Sequence, residues 1–188
     1  MSKRDEVMNL VKRHRDAVNG LNEKLSRIDS RWKQEEQAKA KKKIQDEYQP
    51  TVDAITGEIR RTREELAQER EAASDPMRSL FKAAYARADQ VNAGIANLLN
   101  CLDMFNSKTL IGLVKEYKDP ALTLGAWKQI EDRGLDVHNP DDVKLKTELN
   151  AAAHAFIPEK EVRELADLER ALVDEQIYAV DNLTPNNK

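Results

Sequence analysis

The chain has 188 residues, of which 35% are charged and only 5% aromatic, and glycine and proline occur six times each. This composition favours helices with charged faces over a thick globular core. The 31 basic and 34 acidic residues leave a formal net charge of −3, which excludes a global electrostatic field that would attract the chain to nucleic acid or anionic lipid.

The first predicted element is a helix with a narrow apolar stripe between residues 7 and 32. Its members recur in alternating steps of four and three, which is the spacing of seam positions in a coiled coil. The stripe consists of Val7, Val11, His14, Val18, Leu21, Leu25, Ile28 and Trp32. A stripe this narrow predicts that the helix packs along another helix rather than on a broad core.

His14 is the one polar member of this stripe. A polar side chain at a seam position can specify the register and the number of associating helices, and a protonated histidine there would make assembly sensitive to pH. The alternative is a histidine at the edge of the seam whose ring nitrogens are solvated. We take this alternative as the expectation.

The stretch from Lys33 to Lys43 contains no large apolar residue, so it predicts a helix exposed to solvent. Its four lysines at residues 39–43 form a basic cluster. Acidic residues flank the cluster, and no aromatic residue is interleaved to stack on bases. We therefore expect no specific binding of nucleic acid.

The apolar spacing resumes near Pro50, with Tyr48, Val52, Ile55, Ile59, Thr62 and Leu66. A proline inside a helix removes a hydrogen bond and clashes with the preceding turn, so the chain is expected to kink or to turn here. A turn at residues 48–51 makes an antiparallel hairpin. A kink makes a rod of about 100 Å, whose seam a second chain must cover. Because the first arm is longer, even the hairpin leaves part of the stripe to be covered by another chain or by the C-terminal helices.

A different pattern begins at Pro76. Ser74 and Asp75 are candidate caps in front of this proline, which makes a strong helix start. The broad apolar face that follows predicts a helix packed against more than one neighbour. The face contains Leu80, Phe81, Ala84, Tyr85, Ala88, Val91, Ile95, Leu98, Leu99, Leu102 and Phe105.

Four further helix starts follow in the second half. Ser107 is a candidate cap for a short apolar helix, and Pro120, Pro140 and Pro158 each follow a residue suited to a helix boundary. Gly134 is a natural stop for the helix that begins at Pro120.

The sequence therefore predicts an all-α protein, since no alternating apolar pattern typical of strands occurs. Residues 1–75 are expected to form an arm, either a long N-terminal coiled-coil helix or an antiparallel helical hairpin. Residues 76–180 are expected to form a compact multi-helix bundle, and residues 181–188 a flexible tail.

No motif for a reaction, a cofactor or a metal occurs in the sequence. There is no glycine-rich phosphate loop, no His-Glu-x-x-His, no pair of cysteines and no Gly-x-Ser-x-Gly element. His14, His138 and His154 lie far apart, and the acids after His138 suit the first turn of a helix. We therefore expect no catalytic residue, no cofactor and no metal site.

Cys101 is the only cysteine and has mostly apolar neighbours, so it is expected to be a small, buried hydrophobic residue. The N-terminal residues lack the apolar run of a secretory signal. No stretch reaches the roughly 18 apolar residues that would span a bilayer. The expected location is the cytoplasm or an assembled particle.

The leading functional hypothesis is a non-enzymatic structural or assembly protein that acts through helix–helix association. It would be a homo-oligomer or a subunit of a larger complex. In composition and helix layout the chain resembles the helical scaffolding and internal structural proteins of tailed phages, or the connector subunits of secretion and partition machines. The expected interface residues are Val7, Val11, His14, Val18, Leu21, Leu25, Ile28, Trp32, Ile55, Ile59 and Leu66.

The alternative hypothesis is a membrane-active protein that inserts an apolar hairpin of residues 91–114. Long amphipathic arms around such a hairpin resemble helical pore-forming toxins in outline. Asp or Lys at the centre of a bilayer costs about 2.5 to 3.5 kcal/mol each, so a membrane partner is not favoured. The polar residues that interrupt the hairpin are Asn97, Asn100, Asp103 and Lys108.

Overall fold

A computed structural model describes residues 2–87, 89, 92–136 and 138–183, with side chains described as far as residue 177. Within these residues the protein is all-α, which confirms the predicted fold class, and no strand occurs. A short 3-10 helix covers Leu102–Met104. The α-helices are α1 (Lys3–Ser26), α2 (Gln34–Ser74), α3 (Pro76–Ala86), α4 (Ala93–Leu99), α5 (Ser107–Tyr117), α6 (Pro120–Asp132), α7 (Pro140–His154) and α8 (Glu159–Leu183).

The chain divides into two compact units. The first unit contains the residues up to Arg70 and those from Arg163 onward, and the second unit contains Glu71 to Val162. Most of α8 therefore belongs to the first unit, whereas residues 163–180 were predicted to belong to the bundle. The reason is that α8 supplies side chains that bind α1 and α2. Of the predicted tail, residues 181–183 continue α8, and residues 184–188 lie outside the described residues, as do Ala88 and Val91.

The first unit contains an antiparallel hairpin of α1 and α2. Lys3 forms an ion pair with Glu69, and Arg13 Nη1 lies 3.1 Å from Glu58 Oε2, so residue numbers rise along one helix as they fall along the other. Apolar side chains pack between the two helices. They are Ala17, Val18, Leu21, Leu25, Ile44, Tyr48 and Val52.

The turn of this hairpin lies at residues 27–33 and not at Pro50, where the sequence predicted a turn or a kink. Asp29 accepts hydrogen bonds from the backbone and the guanidinium of Arg31, and the Gln37 side chain donates to the carbonyls of Ser30 and Trp32. Such bonds offer the backbone an alternative to the helix. The predicted helix of residues 7–32 therefore ends at Ser26.

Helix α2 continues through Pro50. Proline removes the hydrogen bond to the carbonyl of Asp46, but both residues are exposed, so water can hydrate that carbonyl. The segment before this proline also follows its prediction, since residues 34–43 are helical and none of them is buried.

Helix α8 completes the first unit as its third helix. Arg70 Nε lies 3.2 Å from Glu169 Oε2, and Arg63 Nη1 donates to Gln176 Oε1 at 2.9 Å, so α8 runs antiparallel to α2. Its buried residues include Leu165, Leu172 and Glu175. The stripe of α1 is thus covered by helices of the same chain, including a C-terminal one.

Helix starts in the second unit follow their predicted caps. The side chains of Asp75, Asp119 and Asn139 each accept a backbone N–H of the first turn, and a proline follows each of them. Helix α5 differs, because its cap is Asn106 and not Ser107.

The broad apolar helix predicted from Pro76 to Phe105 is interrupted. Helix α3 ends at Ala86, and α4 begins at Ala93 with the Asn92 side chain accepting a hydrogen bond from the Ile95 amide. Asparagine stabilises a helix start better than a helix interior, since its side chain replaces a missing backbone partner. The prediction of one continuous helix was therefore wrong.

Helix α6 is central to the second unit, where it contacts α3, α4, α5, α7 and the 3-10 helix. Most of the large apolar residues of the segment 91–114 that are described lie in or against this core, whereas Met104 is 80% exposed. The core contains Leu80, Ile95, Leu102, Leu110, Ile111, Val114, Leu122, Ala126, Trp127, Ile130, Leu149 and Ala153. Across the described ranges, no helix has the length and apolar character required to cross a membrane.

At the start of α1, the cap residue Ser2 forms hydrogen bonds with Asp5. The Ser2 hydroxyl donates to Asp5 Oδ2 at 2.7 Å and the Ser2 amide donates to the same oxygen at 3.0 Å, and these bonds hold the pKa of Asp5 below its ordinary value. We expect Ser2→Ala to raise this pKa, as measured by NMR titration of the Asp5 carboxyl. The pKa of Asp5 is lower in the folded than in the unfolded protein, so these bonds stabilise the fold at pH values above the unfolded pKa. That stabilisation is lost as the pH falls through the folded pKa. An unchanged titration in Ser2→Ala would refute this assignment.

Candidate functional site

His14 lies in the interior of the first unit, and none of its side chain is exposed. Its Nδ1 lies 2.9 Å from Glu175 Oε1, and its Nε2 lies 3.2 Å from Thr56 Oγ1. The expectation that the ring nitrogens are solvated is therefore wrong. The physical reason is that α8 and α2 cover the ring and provide a partner for each nitrogen.

Hydrogen bonds connect four side chains in this cluster, those of Thr56, His14, Glu175 and Arg15. The Thr56 hydroxyl donates to the Val52 carbonyl at 2.8 Å, and its oxygen lies 3.2 Å from His14 Nε2. Glu175 Oε2 accepts from Arg15 Nε at 2.6 Å, which favours an ionised carboxylate. An ionised carboxylate only accepts hydrogen bonds, so His14 Nδ1–H donates to Glu175 Oε1.

Glu175 is the carboxylate at the centre of this cluster, and its side chain is fully buried. Burial of a charge is costly unless the charge is paired and hydrogen-bonded, and here His14 and the half-exposed Arg15 fulfil that condition. The arrangement fixes the position of α8 along α1, because any shift would leave the buried carboxylate without its partners.

Glu175 was not among the predicted interface residues, although the sequence contains a signal for it. Leu165, Leu168 and Leu172 recur in steps of three and four, and Glu175 occupies the next seam position. The stripes of α1 and α8 are thus each interrupted once by an ionisable residue, and the two interruptions hydrogen-bond to each other.

The eleven predicted interface residues occupy three environments. Leu25 and Ile28 are partly buried, and Trp32 lies in the α1–α2 connection with 48% of its surface exposed. Contacts of the predicted interface residues with another chain stay a prediction, because the stripes already pack within the first unit. The buried members are Val7, Val11, His14, Val18, Leu21, Ile55, Ile59 and Leu66.

A second feature is an open apolar groove in the second unit, which we call the α3–α6 groove. Its volume is about 740 Å³. Short side chains leave this space, and larger ones border it. The short side chains are those of Ala84 and Ala121, and the other residues that line the groove are Met77, Phe81, Tyr85, Leu99, Leu124, Gly125, Trp127, Lys128 and Glu131.

Two aromatic side chains on α3 project beside this groove. Phe81 is 45% exposed and Tyr85 is 77% exposed, and their spacing of four residues places them on the same face of the helix. Both residues were predicted to lie on a face packed against neighbouring helices. That expectation was wrong for these two positions, because no neighbouring element covers them among the described residues.

Gly125 brings α6 close to the 3-10 helix below the groove. A Cβ atom at this position would lie 2.6 Å from Leu102 Cδ1 and 3.2 Å from Leu99 Cδ2, which is closer than packed carbon atoms approach. Glycine inside a helix costs about 1 kcal/mol relative to alanine. Here that cost accompanies the close approach of α6 to Leu102 and to Leu99, of which Leu99 borders the groove.

The groove carries one cation and one anion. Lys128 and Glu131 are both exposed and lie one turn apart on α6, and neither forms a side-chain ion pair within the described part of the chain. The site therefore combines apolar walls with a pair of opposite charges that lack partners there.

The other chemically distinctive residues belong to neither feature. Among the described residues, no group of three or more His, Cys, Asp and Glu side chains is placed to hold a metal ion. His154 is exposed at the end of α7, and the His138 amide donates to Asp136 Oδ1. Cys101 is only partly buried, and its Sγ lies 3.1 Å from the Asn97 carbonyl oxygen.

The chain was compared with protein-family models, curated proteins and solved structures. None of these comparisons found a match.

Proposed function

We propose that this protein is a non-enzymatic structural or assembly protein that binds a helix of another protein chain in the α3–α6 groove. The observation that carries the proposal is the pair of exposed aromatic residues, Phe81 and Tyr85, beside an open apolar groove. Grooves of this kind accept the apolar face of an amphipathic helix, whose contacts recur at helical spacing.

The dimensions of the groove favour a helix over a small ligand. Helix α6 has 13 residues and is therefore about 20 Å long, which matches three to four turns of a partner helix. Small ligands are usually buried over about 70 to 90% of their surface. An open groove with Tyr85 largely in solvent offers less enclosure, and aromatic residues such as this are enriched at protein interfaces.

The two stripes of the first unit are a weaker candidate for a surface that binds other chains. Val18, Leu21 and Val52 are buried within that unit, so a partner could reach them only after α1 and α2 separate. The α3–α6 groove requires no such opening. We therefore assign docking to the second unit and give the first unit the role of a structural arm.

A display experiment tests the helix-binding surface without knowledge of the natural partner. A library of random peptides, about 16 residues long so that four helical turns can form, would be selected on the full-length protein. We expect the selected peptides to carry apolar residues at positions i, i+3 or i+4, and i+7. We also expect Phe81→Ala/Tyr85→Ala to weaken their binding at least about tenfold.

The matched control changes exposed apolar residues of the same unit outside the groove. Tyr117 and Val143 are each 47% exposed, and Tyr117→Ala/Val143→Ala is expected to bind the peptides as the parent does. Peptides without helical spacing, or peptides that bind the groove variant as tightly as the parent, would rule out the proposed role of the groove.

A further inference from the structure

We infer that the occupant of the α3–α6 groove is the same face of a second copy of this chain, so that two copies form a twofold-symmetric dimer. This inference rests on the proposed function and names the partner of that site. It follows from two properties of the surface, its shape and its charge.

The shape of the surface is self-complementary. A twofold interface brings one patch against itself, so the patch must contain both projecting groups and a recess that receives them. Here Phe81 and Tyr85 project beside a groove made roomy by the short side chains of Ala84 and Ala121. The aromatic rings of each copy can therefore enter the groove of the other.

The charges of the surface are self-complementary as well. If the twofold axis crosses α6 between Lys128 and Glu131, Lys128 of each copy faces Glu131 of the other. Both charges then gain a partner that they lack within the described part of their own chain. A partner helix of uniform charge would instead place a like charge against one of them, which is unfavourable.

The α3–α6 groove is also distinctive among the exposed apolar positions. Phe81 and Tyr85 are adjacent on one helix face and border a cavity that Met77 and Leu124 extend. Single exposed apolar side chains are ordinary, whereas a contiguous patch marks an interaction surface. The other exposed large apolar side chains, at separate places on the described helices and loops, are Met8, Trp32, Met104, Tyr117, Val143 and Ile177.

Sedimentation velocity of the full-length protein over micromolar to submillimolar concentrations tests the inference. We expect a reversible monomer–dimer equilibrium. Phe81→Ala/Tyr85→Ala should raise the dissociation constant by about 100-fold, since each aromatic residue at the centre of an interface contributes about tenfold or more. The Tyr117→Ala/Val143→Ala control should leave the constant unchanged.

Charge exchange gives the sharper test of the twofold geometry. Lys128→Glu and Glu131→Lys, made singly, should each weaken self-association by about tenfold, because like charges then face each other. The double exchange Lys128→Glu/Glu131→Lys should restore it. A mixture of the two single variants should form heterodimers more readily than either forms homodimers, because each charge then meets its opposite.

All of these substitutions are at exposed positions, so circular dichroism melts should match the parent and separate loss of association from loss of folding. A strictly monomeric parent, or a dimer that the groove variants do not affect, would overturn the inference. If the parent is monomeric while displayed helical peptides still bind the groove, the second-copy inference fails and the proposed function stands. If neither association occurs, both are wrong.

Discussion

Glu175→Ala is expected to lower the free energy of unfolding of the first unit by about 3 to 5 kcal/mol, the usual effect of removing one partner of a buried ion pair. The substitution leaves the fully buried His14 ring without its Nδ1 partner, whereas the half-exposed Arg15 can turn to water. Urea unfolding followed by circular dichroism measures the loss. Fluorescence of Trp127 in a Trp32→Phe background follows the second unit, which should be unaffected.

Two further variants separate charge from packing in this cluster. Glu175→Gln keeps an oxygen acceptor for His14, so its free energy of unfolding should fall less than that of the alanine variant. His14→Leu/Glu175→Leu replaces the pair by apolar side chains of similar volume. Its free energy of unfolding should equal that of the parent or exceed it by up to about 4 kcal/mol. A Glu175→Ala protein within about 1 kcal/mol of the parent would show that the ion pair does not hold α8.

Leu21→Ala/Leu25→Ala is the second substitution with a large expected effect. Leu21 is 1% exposed and packs with Val18 and Val52 between α1 and α2, whereas Leu25 is partly buried. Removing a buried leucine side chain costs about 2 to 5 kcal/mol, and the second site adds a smaller amount. We expect the first unit to become protease-sensitive while the second unit stays folded on its own core.

The control for this variant lies on the exposed side of the same helix. Lys12 and Asp16 are both exposed on α1, and Lys12→Ala/Asp16→Ala keeps helix propensity high. Its unfolding should match the parent within about 0.5 kcal/mol, as for most surface substitutions. Equal protease sensitivity of the two double variants would contradict the role of Leu21 in the hairpin.

Helix starts were predictable because their signals are local. Asp75, Asp119 and Asn139 bind amides two or three residues ahead, and the proline after each restricts the backbone to a conformation that suits a first helical turn. The sequence therefore predicts these boundaries without knowledge of the tertiary structure.

The turn of the hairpin was not predictable from the same signals. Pro50 is the strongest helix-breaking signal in the arm. A helix nevertheless tolerates an exposed proline when water hydrates the carbonyl that has lost its backbone donor. The actual turn depends on side chain to backbone bonds of Asp29 and Gln37, which no apolar pattern reveals.

The candidate site was only partly predictable for a related reason. His14 was identified as an exception in its stripe, but its partner Glu175 is 161 residues away, and a single sequence gives no measure of which seam positions meet. Phe81 and Tyr85 share the helical spacing of core residues. Periodicity reports that apolar residues share a face, and only the packing of other elements decides whether that face is covered.

The pairing of His14 with Glu175 also has a consequence for biosynthesis. The chain emerges from the ribosome N-terminus first, so α1 and α2 are made long before α8. Residues 71–162 can form their local contacts during that interval, before α8 is available to pack on the stripe of α1. Contacts of such large sequence separation form slowly, because a long loop must close before they are made. The burial of α1 is therefore completed only after α8 has been synthesised.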